Sequence, residues 1–492
     1  MEQRNLFIGN GFNLVEMWEC QWCEFKNTLD DKAQIETNAI NQNIVIRDAL
    51  FGGRTEGFKS YVSCNENQII GYRDVVSLYP TVNALDDYAI GYGSYVNYDS
   101  VGDFEHDLLN GKFFGVAKVD ITPPTDLYVP VLPDNSEHKL LFHLNPMKSK
   151  TFASVELKLA VEKGYKIDKL HAALKYDRYN GLMKKYVEFF LEMKIKNTKA
   201  YTQEECDEIN KTHQDMGFTF VIKPEETCKN KGLRAVAKLC LNSLWGKFGQ
   251  RCTLDSYEYM SEWSNMLLQL NNEHININSW HILNDKCVEL RFTEKQDYTV
   301  EAEYISEITA VFTTANARVR LYSMLDWLHP SQIIYCDTDS VIFIYDKTNP
   351  LHKCPSNDSD RPKNIVFGDA LGCWENEMKG NEYIKEVVVS GAKSYSYIKY
   401  DPDTDKTEYI VKQKGITLDV ANSNIFNYED IRNMVLENKT LKSEKRYMFS
   451  WNNHTKDIQT QYLSREVRNT IDSKRMVVEN YDTRPFVFVD TD

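Results

Sequence analysis

The segment from 333 to 345, IIYCDTDSVIFIY, sets two carboxylates, Asp337 and Asp339, between two runs of β-branched and aromatic residues. This pattern predicts an apolar strand, a polar tip and a second apolar strand: a hairpin with acid at its turn. Extended residues at i and i+2 point the same way, so both carboxylates should project to one side. Like charges held together in an apolar setting are costly unless a cation compensates them. A hard dication such as magnesium is commonly held by one or two carboxylates plus substrate phosphates. Taken alone, an Asp-Thr-Asp turn is a solvated loop. A second anomaly changes that reading: residues 69–79, IIGYRDVVSLY, predict a buried strand that stops at Pro80 and carries Asp74 inside it. Two acids in apolar strands so far apart in sequence suggest convergence on one site.

The remainder of the chain sets bounds. Its 492 residues, 42% hydrophobic and 12% aromatic, are enough for several cores, roughly two to four domains. No run approaches the ~20 apolar residues of a membrane helix, and the first thirty residues lack the order of a signal peptide. Eleven cysteines without dense spacing read as reduced thiols of an intracellular protein. Cys20 and Cys23 form a CxxC with no second pair to complete a zinc site, so packing beside Trp18 and Trp22 is the expected role. A net charge of −14 runs against nucleic-acid binding, yet residues 148–200 hold 13 bases against 6 acids. Such a block is equally the mark of a solvated face.

Helical patterning is expected around 153–196, with Leu182, Tyr186, Phe189 and Met193 on one face and the bases of the other face in solvent. A second helix is expected from Leu233, ended by Gly246 and Gly249, and a third over 306–328, closed by Pro330. In the second, Arg234, Lys238 and Asn242 recur every four residues, so one face presents two cations and an amide. That stripe alone reads as wet surface. It leads, however, into Asn242-Ser-Leu-Trp245-Gly-Lys-Phe-Gly249, where a flat ring beside glycine could pack against a base pair.

Four segments then fall in a recognisable order. Asp74-x-x-Ser77-Leu78-Tyr79-Pro80, Lys238-x-x-x-Asn242-Ser-x-x-Gly246 and Tyr335-x-Asp337-Thr338-Asp339-Ser340 resemble motifs A, B and C of family B DNA polymerases. Gly391-Ala-Lys393-Ser-Tyr395 resembles the family's KxY motif. The spacing is closest to the protein-primed branch: the step of 164 from Asp74 to Lys238 and that of 95 from Asn242 to Asp337 leave room for its two insertions. Phe51-Gly52-Gly53-Arg54 resembles its template-strand element, although Leu50 stands where phage relatives have Tyr. Trp18 to Trp22, the NSLWGKFGQ form of motif B and Lys412-Gln-Lys414-Gly-Ile416 resemble the Polinton (Maverick) polymerases in particular.

The resemblance implies an α+β, right-hand fold with a palm of antiparallel sheet plus helices, helical fingers and a thumb. The expected divisions are 1–60 joint and template-strand element, 61–95 palm, 96–190 first insertion, 191–250 fingers, 251–302 second insertion, 303–415 palm again and 416–492 thumb. It further implies that Asp74 and Asp339 bind two Mg²⁺, with Mn²⁺ as a substitute, and that Asp337 supports them. Ser77, Leu78, Arg234 and Lys238 would hold the incoming deoxynucleotide, Tyr79 would exclude a 2′-hydroxyl, and Asn242 and Trp245 would face the nascent pair. Gly52, Gly53, Thr338, Lys393, Tyr395, Lys412 and Lys414 would hold primer and template, with a terminal protein as an alternative primer. Trp245 replaces the family's usual Tyr, which keeps a stacking surface and removes a hydroxyl. The expected setting is the nucleus for an integrated element, otherwise the cytoplasm or a virus factory, with no membrane.

Nothing before Asp74 resembles the acidic exonuclease site of proofreading relatives. The expectation is an amino-terminal truncation, with a polymerase lacking proofreading as the alternative. An inactive DNA-binding relic is the rival in another class; retention of all three aspartates, Tyr79, Lys393 and Tyr395 argues against it.

Overall fold

A computed structural model describes residues 44–136, 139–251, 255–295, 305–354, 361–452 and 457–487. Cys20, Cys23 and their flanking tryptophans lie outside these residues. From Ile46 onward the chain forms one compact unit.

Strands β1 (Thr55–Gly57), β2 (Tyr61–Ser63) and β3 (Gln68–Val75) come first, followed by helix α1 (Leu78–Leu85). Next are β4 (Asp87–Tyr95), α2 (Val101–Leu109), β5 (Gly115–Thr122), β6 (Met147–Ala153), α3 (Ser154–Glu162) and β7 (Lys166–Asn180). Three helices follow, α4 (Lys184–Lys196), α5 (Gln203–Asp215) and α6 (Lys231–Phe248). A small unit of β8 (Ser256–Met260), α7 (Trp263–Leu270), β9 (Ile275–Asn284) and β10 (Cys287–Glu294) precedes the long helix α8 (Glu307–Trp327). The chain then runs through β11 (Ile333–Asp337), β12 (Ser340–Asp346), β13 (Trp374–Asn376), β14 (Tyr383–Gly391), β15 (Ser394–Asp401) and β16 (Lys406–Lys412). Helices α9 (Val420–Ile425) and α10 (Tyr428–Leu436) and short paired strands complete it.

The central sheet has the order β1-β11-β12-β3-β14-β15-β16, with β13 beside β3 and β2 beside β14. Its pairings are antiparallel, and β12 meets β3 in a register that sets Ser340 opposite Asp74. Helix α8 lies against this sheet and is buried on nearly all sides. Phe312, Ala315, Leu321 and Met324 are buried, as are Thr309, Thr313 and Arg318. A helix so enclosed must satisfy its polar groups internally. Arg318 does so with a two-pronged pair to Glu156 at 2.7 Å and bonds to the carbonyls of Phe51 and Gly52.

Several expectations need correction. The stretch 153–196 is not one helical region: Lys166–Asn180 is a fifteen-residue strand between two helices. Ala172, Ala173 and Leu174 favour helix locally, but pairing on both sides, with β4 and β5, overrides that preference. In α4 the inward face is Val187 and Leu191, whereas Phe189 is 58% exposed. Strand β3 ends at Val75, and Pro80 sits in the first turn of α1, where its missing N–H costs nothing. Gly246 lies inside α6, which ends at Phe248 and is capped by Gly249. Among the described residues no helix is long and apolar enough to cross a membrane.

A second buried ionic group ties the two ends of this unit together. Arg54 pairs with Glu56 at 2.5 Å, and Arg475 lies 4.0 Å from the same carboxylate; all three are at most 2% exposed. Arg475 also stacks over Phe58 and donates to the Tyr128 carbonyl. Removing one member of such a buried group strands the others without compensation. Glu56→Ala should therefore lower unfolding free energy by about 3–5 kcal/mol in chemical denaturation. Glu466→Ala, which breaks an exposed pair with Lys442, should leave the midpoint essentially unchanged.

Candidate active site

Three strained backbone positions mark the site before any side chain is considered. Ser77, Thr338 and Lys393 adopt left-handed conformations, with φ of 55°, 57° and 59°, which side-chain-bearing residues seldom do. Such outliers persist only where the surroundings hold them, and they cluster at functional sites. Ser77 links β3 to α1. Thr338 sits at the tip of the β11–β12 hairpin, and Lys393 at that of β14–β15.

The two hairpin tips meet. Lys393 Nζ lies 3.1 Å from Asp337 Oδ1, and the Lys393 backbone N–H donates to the Tyr335 hydroxyl at 2.9 Å. Asp337 Oδ1 also accepts from the hydroxyls of Thr55 at 3.0 Å and Thr338 at 3.1 Å. Because Thr338 is left-handed, the i, i+2 rule for extended residues does not apply at this tip. A two-residue turn, with Asp337 paired to Ser340, sets the two acids near each other instead.

Asp74 and Asp339 form the electrostatic centre. Burial pushes the Asp74 carboxyl up to about 8; Asp339, Glu377 and Glu375 add to the shift and Lys238 opposes it. Burial likewise raises Asp339 to about 6, with Asp337 adding to it and Lys393 opposing. Glu375 stands opposite Asp74 across the β13–β3 pairing. Negative charge is thus in excess. Among the described residues no three carboxylate, imidazole or thiol groups converge into a ready-made metal cage. Asp337 is engaged with Lys393, which leaves Asp74 and Asp339 as the acids whose mutual repulsion a cation would relieve. A pair of carboxylates completed by substrate phosphates is the donor set that Mg²⁺ accepts, so the residues fit it.

Beside the acids lies a cationic group. Arg234, Lys238 and Asn242 are exposed on α6, whose Ala237 and Leu241 face inward. Lys194, on the neighbouring α4, points its ammonium at Ser77 Oγ, 3.2 Å away. Burial lowers its pKa, and so do Arg234 and Lys238. This corrects the expectation that the bases of that helix remain in solvent. Leu78 is 1% exposed within the core, so only its backbone is available to a ligand. Tyr79 stacks on Trp245 with ring centroids 4.8 Å apart, and its hydroxyl is pushed up to about 12 by burial, with Arg318 opposing and both hairpin aspartates adding.

The remaining predicted residues border the hairpin tips. A Cβ on Gly53 would come within 2.9 Å of the Thr338 side chain, so the glycine lets this loop close on the tip, whereas Gly52 faces open space. The Tyr395 hydroxyl meets that of Tyr72 at 3.1 Å, and Tyr395 pairs across the sheet with Lys412. The Lys414 N–H donates to Ser394. Lys194, Glu375, Glu377, Arg318 and Thr55 are additions that motif reading missed. None of them is an acid inside an apolar run of the kind that singled out Asp74; Glu375 stands in the polar stretch around the short strand Trp374–Asn376.

The sequence profile of the family described as DNA polymerase type B, organellar and viral, matches residues 23–212 and 220–327. No curated protein sequence matches significantly. Among solved structures, the chain is similar to Phi29 DNA polymerase complexed with primer-template DNA and incoming nucleotide. The TM-score is 0.53 at 17% identity, over 86% of this chain and 62% of that one. The post-translocation binary complex gives 0.53 at 18%, over 91% and 70%, and the complex with single-stranded DNA 0.52 at 17%. The chain thus spans less than two-thirds of the length of the first of these structures. At such identities the likeness is one of fold, and it bears out the expected right-hand architecture.

A carboxyl whose folded-state pKa lies above its ordinary value of 3.8 binds its proton more tightly in the folded chain than in the unfolded one. Metal-free stability should therefore fall as pH rises from about 4 through about 6 for Asp339 and about 8 for Asp74. With chelator present, Asp74→Asn should melt above the parent protein at about pH 9 and level with it near pH 4. Thermal midpoints with the same gap at every pH would contradict the assigned repulsion.

Proposed function

Because the chain belongs to the organellar and viral type B DNA polymerases, we propose that it adds deoxynucleotides to a 3′-hydroxyl under template direction. The observation that carries this reading is the juxtaposition of half-buried Asp74 and Asp339 beside a cationic helix face. Two Mg²⁺, or Mn²⁺ in their place, held by Asp74 and Asp339 with Asp337 alongside, would activate the attacking oxygen and offset charge on the leaving one.

The chain's own residues bind and orient. Arg234, Lys238 and Lys194 grip the triphosphate, aided by backbone N–H groups of Ser77 and Leu78 at the start of α1. Tyr79 lies beneath the sugar and excludes a 2′-hydroxyl. Its stacking on Trp245 means that an incoming nucleotide must part the two rings, after which Trp245 and Asn242 face the nascent pair. Lys393 and Tyr395 hold the primer end, Gly52, Gly53 and Thr338 the template strand near it, and Lys412 and Lys414 the backbone beyond. Segments 61–95 and 303–415 serve as palm, 191–250 as fingers and 416–492 as thumb, with 96–190 and 251–302 as the two insertions. The Polinton-like motifs support a terminal-protein hydroxyl as an alternative primer.

Primer extension with Mg²⁺ tests the site. Asp74→Asn and Asp339→Asn should each reduce extension to background, and activity surviving both would contradict the assignment. Tyr79→Val should relax discrimination against ribonucleotides by about 100-fold, the scale on which a pocket rejects an added hydroxyl. Unchanged discrimination in single-nucleotide kinetics would remove Tyr79 from that role.

A further inference from the structure

Strand β1 sets Thr55 opposite Asp337, and the Thr55 hydroxyl donates to Asp337 Oδ1 at 3.0 Å. On its other side, the Thr55 carbonyl accepts from Lys474 Nζ, also at 3.0 Å. Lys474 arrives from the far end of the chain, just after the turn Ile471–Ser473. Its neighbours hold it in place. Ile471 is buried so tightly against β1 that a Cβ on Gly57 would meet its Cδ1 at 2.8 Å. Arg475 is fully buried at the Glu56 carboxylate, with Nε on the Thr483 hydroxyl at 2.9 Å.

Packing does not account for a lysine here. The segment is already fixed by Ile471 and Arg475, and Glu56, the acid facing Lys474, is committed to Arg54 at 2.5 Å. Burial lowers the Lys474 pKa, Glu56 opposes that, and Arg54 and Lys414 add like charge. Three buried or half-buried cations, Arg54, Lys474 and Arg475, thus share one carboxylate directly behind the acidic hairpin. An ammonium in such surroundings is destabilising by itself, and its hydrogen bond leads through a single residue to Asp337.

We propose that Lys474 is a positioning residue for the acidic centre: it fixes the Thr55 peptide, and the Thr55 hydroxyl fixes the Asp337 carboxylate. Partners one step removed from metal-binding groups act in this way, orienting the ligands and tuning their affinity. This role rests on the reading of the aspartates as metal-binding.

The test uses the full chain with a bound non-hydrolysable deoxynucleotide and measures Mn²⁺ binding from the loss of free-ion electron paramagnetic resonance signal beyond that caused by the nucleotide alone. Primer-template affinity by fluorescence anisotropy and the thermal midpoint are recorded alongside. Lys474→Met and Thr55→Val should each weaken Mn²⁺ binding by about 10-fold. The double variant should be no worse than either single one, because both break the same chain of contacts. Lys474→Arg should recover most of the loss, with DNA affinity unchanged in all four and no midpoint falling below the parent's. Additive losses, or unchanged Mn²⁺ binding in either single variant, would overturn the proposal. Weaker DNA binding with intact Mn²⁺ binding would make Lys474 a backbone-phosphate ligand instead, and a collapsed midpoint in Lys474→Met would make it structural. A parent protein that takes up no Mn²⁺, with Asp74→Asn as the control, would refute the metal reading itself and the proposal with it.

Discussion

The antiparallel pairing of β3 with β12, which puts Ser340 opposite Asp74, is the constraint on which the site depends. A strand register slips only in whole residues, and each one-residue slip would turn Asp74 to the other face of the sheet. Both strands are locked by the apolar residues that make the hairpin legible, including Ile70, Ile342 and Phe343, so the acids are carried to one place by contacts that have nothing to do with acid. The fold thereby imposes a repulsion that the side chains alone would avoid. The left-handed residues at Ser77, Thr338 and Lys393 belong to the same arrangement, each at a turn that brings a motif to the acids.

Charge is organised around that repulsion. A chain with net charge −14 gathers cations around the site: Lys238 acts on Asp74 with Arg234 and Lys194 beside it, Lys393 pairs with Asp337 at the hairpin tip, and Lys474 lies behind Thr55. These five residues come from four separate parts of the chain, so the overall acidity says little about the field a phosphate would meet. Arg54, Glu56 and Arg475 act away from the acids. They join β1, which flanks the acidic hairpin, to the C-terminal segment through a fully enclosed ionic group.

Much of this was legible because periodicity and polarity disagreed. Asp74, Asp337 and Asp339 stood out as acids in apolar strands, and the α6 stripe of Arg234, Lys238 and Asn242 as polar groups at helical spacing. The hairpin at 333–345 and the helix at 307–327 followed from strong local patterns. What failed to show was set by distant partners. Strand Lys166–Asn180 is imposed by neighbours on both sides, and Lys194 looks like any surface lysine until α4 packs beside α1. Thr55, Arg318 and Lys474 matter through contacts spanning more than 200 residues, which no window of sequence contains.

The central claim is that Asp74 and Asp339 are held together to share divalent cations. A crystal structure of this chain with primer-template DNA, an incoming deoxynucleotide and Mg²⁺ tests it most directly. The account predicts cation density bridging the Asp74 and Asp339 carboxylates and the nucleotide phosphates, with the Tyr79 and Trp245 rings parted. A bound nucleotide with no cation on Asp74 or Asp339, or with cations held by other residues, would contradict it.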